Sequence, residues 1–129
     1  MPDPSPFLAA AERLADRFRS MPESSLTRLA PVGLDLARRL AVAAQRLEGL
    51  PVREMPEAGV FVVGDQIALA AHDLAAAATA RPDGDGDGGD GAEDSGGGEG
   101  SEAARVLAEA LELVAGTAQR LATTRSARM

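Results

Sequence analysis

The 129-residue chain contains no cysteine, lysine, asparagine, tyrosine or tryptophan. Without cysteine there is no disulfide framework, no thiol nucleophile and no thiolate metal site. Aromatic packing can come only from Phe7, Phe18 and Phe61. Histidine occurs once, at position 72, and isoleucine once, at position 67. All 13 basic residues are arginine. Residues with A/T-rich codons are missing while Ala, Arg, Gly, Asp and Pro abound, the bias of a GC-rich bacterial genome. Under that bias the choice of Arg over Lys says little about function. No run of about twenty apolar residues is present to span a membrane. The first residues, Met1 to Pro6, lack the positive region of a secretory signal, and the last ones carry no lipidation box or retrieval tetrapeptide. These features lead us to expect a soluble cytoplasmic protein with no membrane insertion.

Charge is distributed unevenly. The formal net charge is −7. Residues 82–100 hold seven acids (Asp83, Asp85, Asp87, Asp90, Glu93, Asp94 and Glu99) and no arginine, so the rest of the chain is neutral. A nucleic-acid binder normally carries a basic footprint. None is present overall, and no nucleic-acid partner is expected. The one region of uncompensated positive charge is the tail with Arg120, Arg125 and Arg128.

Apolar residues recur at helical spacing along most of the chain. Phe7, Ala11, Leu14 and Phe18 define a first amphipathic helix, with Ser5-Pro6 as its expected start. Ser20 and Glu23 have the spacing of a capping box before the second helix. That helix carries Leu26, Leu29, Gly33, Leu36, Leu40, Ala43, Leu47 and Leu50. Pro31 lies inside it, and a kink or break is expected there, because proline removes an N–H and crowds the carbonyl four residues back. Gly49 and Pro51 mark its stop. Val60, Gly64, Ile67, Ala71, Leu74 and Ala78 define the third helix. Residues 60–63 also suit a short buried strand, with Asp65 capping a helix behind it. A continuous helix is preferred, because a lone strand has no partner elsewhere in the chain. Ser101 is the expected cap of a last helix with Leu107, Leu111, Val114, Ala118 and Leu121 on one side.

The fold class that follows is all-α: one domain, residues 1–129, forming a small up-down bundle of about four helices. Helices one to three fall within 6–80 and the C-terminal helix within 101–125. Residues 82–100, with nine of the 14 glycines and no large apolar residue, read as a disordered acidic Gly-rich loop before the last helix.

Several constellations invite a functional reading. Asp83, Asp85, Asp87, Gly89 and Asp94 can be laid on a calcium-loop template, which needs oxygen ligands at its first, third, fifth, seventh and twelfth places. Against it, Asp90 stands where an aliphatic residue usually meets the core, and Pro82 and Ser95 to Gly98 flank the loop where helices should leave it. An acidic tether explains the same letters, so no metal and no cofactor is expected. Asp65 and His72 lie two turns apart on one face and could form a polar pair of the acid–base type. One histidine is an incomplete metal set, and no serine sits in a nucleophile motif. The polar notch Gly64, Asp65, Gln66 and His72 reads either as close packing against Pro31 to Gly33 or as a partner contact. Interleaved charges around Arg13, Arg17, Arg38, Arg39 and Arg46 read as solvated helix faces.

The expected function is therefore that of a non-enzymatic interaction or regulatory protein working through helix faces. A calcium-responsive module is the alternative. The candidate contact residues are Leu36, Leu40, Leu47, Ile67 and Leu74. They would meet an unknown protein partner or a second copy in a homodimer.

Overall fold

A computed structural model describes residues 2–80 and 99–128. Among the described residues four α-helices occur: α1 (Ser5–Arg19), α2 (Glu23–Leu47), α3 (Val63–Ala80) and α4 (Glu99–Arg128). A single 3-10 turn, Val60–Val62, leads into α3. The all-α bundle expected from the spacing is what the chain forms, and no strand occurs among the described residues. The Gly-rich stretch 82–98 lies outside them.

Contacts between helices fix their directions. Glu12 meets His72 and Arg19 meets Asp65, so α1 and α3 are antiparallel. Gly33 lies against Val63, while Leu47 shares a cleft with Ala77 and Ala80, so α2 and α3 are parallel. Glu102 lines that same cleft, and Leu121 lies beside Met21 and Leu29, so α4 runs opposite to both. The chain therefore reverses between α1 and α2 and between α3 and α4, and keeps its direction from α2 to α3.

The segment from Glu48 to Gly59 makes that parallel step. Helix α2 ends in a left-handed Gly49 (φ +71°). Its N–H bonds the Arg46 carbonyl and the next N–H, of Leu50, bonds that of Gln45, the pairing that terminates a helix. The chain then returns along α2 as an extended strap. Arg53 exchanges two hydrogen bonds with the side chain of Gln45. Arg38 donates to the Met55 carbonyl and pairs with Glu54. Gln66 donates to the Pro56 carbonyl.

Five local expectations change. Of the kink or break expected at Pro31, the break does not occur: α2 is continuous across it, and the ring sits on an exposed side of the helix. Ser5 does not cap α1 with its side chain; Asp3 Oδ1 accepts from the Ser5 N–H instead. These bonds hold the Asp3 carboxyl below its ordinary range. Ser20 forms no capping box, because its hydroxyl turns back to the Asp16 carbonyl and closes α1. Residues 60–62 form neither strand nor α-helix but the 3-10 turn, and α4 begins at Glu99, before Ser101.

The core is built from α1, α2, α3 and one stripe of α4. Phe7, Leu14, Phe18, Leu36, Leu40, Ile67, Leu74, Val114 and Leu121 are its large fully buried side chains. Alanines fill the rest, and they let helices come close while adding little apolar area. The span Val60–Ala80 reaches mean hydropathy 1.3 over its most apolar part, long and apolar enough to cross a membrane, and half of that part is buried inside the bundle. A core helix of a folded domain accounts for this composition, because α3 packs on both α1 and α2.

Candidate functional site

Two small residues let α3 dock. A Cβ on Gly64 would lie 2.7 Å from the Ala15 carbonyl oxygen, and one on Gly33 would lie 2.6 Å from Val63 Cγ1 and 2.8 Å from Phe18 Cζ. Gly64 thus packs on α1 rather than on Pro31 to Gly33. Gly33 is the small residue that admits Val63 and Phe18. The polar residues of the notch then sit along the α1–α3 border. Arg19 bridges Asp16 and Asp65, both at 2.9 Å, and these acids raise its affinity for a proton. His72 Nε2 lies 2.7 Å from Glu12 Oε2. Asp65 and His72 therefore do not pair with each other, as each is held by α1. Both contacts are solvent-exposed. Gln66 donates to the strap, and its carbonyl oxygen is buried with no partner among the described residues.

Leu36, Leu40, Leu47, Ile67 and Leu74 are all buried. They form the bundle's own core, and a partner could reach them only by opening it. The calcium-template residues Asp83, Asp85, Asp87, Gly89 and Asp94 fall outside the described residues. Among the described residues no three His, Asp or Glu side chains gather as metal ligands.

Among the described residues, Leu50 and Val52 of the strap, Leu113 of α4, Leu69 of α3 and Phe61 just before it are the exposed large apolar side chains, and the last two are the most exposed. Phe61 is 68 % exposed and Leu69 59 % exposed. Two of the three phenylalanines are fully buried, so Phe61 is the exception. Asp65, Leu69, Asp73 and Ala76 follow it at steps of three or four and are exposed as well, as is Ala80. Such spacing places Asp65, Leu69, Asp73, Ala76 and Ala80 on one side of the helix, with Phe61 in the 3-10 turn just before it. The Arg19–Asp65 ion pair and the Glu12–His72 contact lie along this side, and Asp73 has no partner there among the described residues. Large side chains occupy the first half of the stripe, and alanines the second. The spacing Phe61, Leu69, Ala76 was available in the sequence. It was masked by the stronger Val60, Gly64, Ile67, Ala71 series, which is the buried side of the same helix.

No protein-family model, no curated protein and no solved structure matches the chain.

Proposed function

We propose that this protein is a non-enzymatic interaction module whose contact surface is the outward side of α3, and that this surface meets a second copy of the chain. The observation that carries the proposal is the exposed Leu69 on the outward side of α3, with the exposed Phe61 in the turn that leads into it and Ala76 and Ala80 following on that side. An isolated exposed apolar residue is ordinary, whereas an aligned series marks a contact surface. A two-fold interface presents the same patch from both copies. Two α3 helices paired antiparallel set the large Phe61 of one copy over the small Ala76 and Ala80 of the other, at both ends at once. Large-into-small filling of this kind is what close helix packing requires. Arg19 already offsets the charge of Asp65, whereas the antiparallel register brings Asp73 of one copy near Asp65 of the other, a repulsion that salt screens.

Sedimentation tests the proposal. The native chain should shift from monomer to dimer between about 1 and 200 μM, a range in which a helix-pair interface of modest area acts. Leu69→Glu should remain monomeric throughout with unchanged helicity, because Leu69 contributes to the surface and not to the core. A native chain that stays monomeric over the whole range would overturn self-association.

A further inference from the structure

Where α1 ends, α2 begins and the last turns of α4 pass, a cleft of about 400 Å³ opens between the three helices. We propose that this cleft is a binding site for a small amphipathic anion, a carboxylate or phosphate monoester carrying a short apolar chain. Its lining divides by chemistry. Met21, Leu29 and Leu121 supply an apolar wall, while Arg17 and Arg28 supply two guanidinium groups. Arg17 is held in place by a long hydrogen bond, 3.5 Å, to the Ala118 carbonyl. No acceptor meets Arg28 among the described residues. Among the described residues, no carboxylate lines the cleft.

Two cations facing one partly apolar cavity repel each other unless an anion lies between them. Guanidinium forks match carboxylate and phosphate oxygens in two-bond geometry. Ser25 also lines the cleft. It lies in the first turn of α2 and would offer a hydroxyl donor to the same anion. The volume falls in the range of small-molecule sites, which pair an apolar lining with a few convergent polar groups. This site stands at the opposite end of the bundle from the attachment points of the acidic stretch, Ala80 and Glu102, and does not involve the outward side of α3.

Titration of the ¹⁵N-labelled full chain with octanoate, octyl phosphate, 1-octanol and inorganic phosphate tests the inference. Octanoate, octyl phosphate or both should shift amides of residues 20–29 and 117–122. Octanol and inorganic phosphate should each bind about tenfold more weakly than the better amphipathic anion, since each lacks one half of the recognition. The relative affinities of octanoate and octyl phosphate identify which head group the arginines prefer. Arg28 is exposed, so Arg28→Gln should leave circular dichroism unchanged and weaken the anion about tenfold, while Arg46→Gln, at the far end of α2, should have no effect. No response of the cleft amides, equal binding of octanol, equal binding of inorganic phosphate, or an Arg28→Gln variant that binds like the native chain would each overturn the inference.

Discussion

Gly33, Gly64 and Gly116 all sit inside helices, yet their surroundings differ. A side chain on Gly33 would strike Val63 and Phe18, and one on Gly64 would strike the Ala15 backbone. Nothing lies within 4 Å of the same position at Gly116. Gly33→Ala should therefore cost about 1–3 kcal/mol through overpacking, and Gly64→Ala should cost more, because a backbone carbonyl cannot rotate away as a ring can. Gly116→Ala should have the opposite sign and stabilise by about 0.5–1 kcal/mol, the helix propensity difference. Urea unfolding of the three variants checks the order. At this scale the sequence marked Gly64 as a close-approach residue but assigned it the wrong neighbour. A helical glycine announces that something is near without saying which helix supplies it. The same holds for Asp65 and His72. Their spacing was visible, but α1 supplies the partner of each, and a long-range pairing leaves no trace in local spacing.

The helices themselves were legible because apolar residues at steps of three and four need only one side to be buried. Their ends were less so. Asp3 rather than Ser5 caps α1, and Ser20 closes α1 rather than opening α2, since a hydroxyl between two helices can serve either one. The return of the strap along α2 was not legible at all. It depends on Arg38, Gln45 and Gln66 holding backbone groups of Arg53, Met55 and Pro56, and side chains of that kind also suit a solvated face. Pro31 shows the limit of local rules. Its helix continues, so neighbouring packing outweighs the missing hydrogen bond at the Thr27 carbonyl. Pro31→Ala should restore that bond and raise stability by about 1–3 kcal/mol, measured as an increased midpoint of urea unfolding with no change in slope. A lower midpoint would mean that the ring's contacts with the strap outweigh the bond.

The whole molecule combines a neutral helical body with an acidic stretch joined at one end. Ala80 and Glu102 line one cleft, so the two attachment points are near each other. Replacing residues 83–98 with a short Gly/Ser linker should leave the bundle folded, with helical circular dichroism retained; loss of helicity would show that the stretch takes part in the fold. The native net charge of −7 should oppose association of two copies. Salt should therefore tighten the dimer, and the shortened chain should dimerise more readily at low salt, because screening acts on repulsion between exposed charges. The contact between copies can be seen most directly in a mixed sample of labelled and unlabelled chains, by isotope-filtered nuclear Overhauser spectroscopy. Only three phenylalanines are present, and Phe7 and Phe18 are buried, so the ring of Phe61 is readily singled out. We expect cross-peaks between the Phe61 ring of one copy and the methyl groups of Ala76 and Ala80 of the other. Their absence at concentrations where the chain is dimeric, or a chain that never becomes dimeric, would contradict the outward side of α3 as the surface through which this protein pairs.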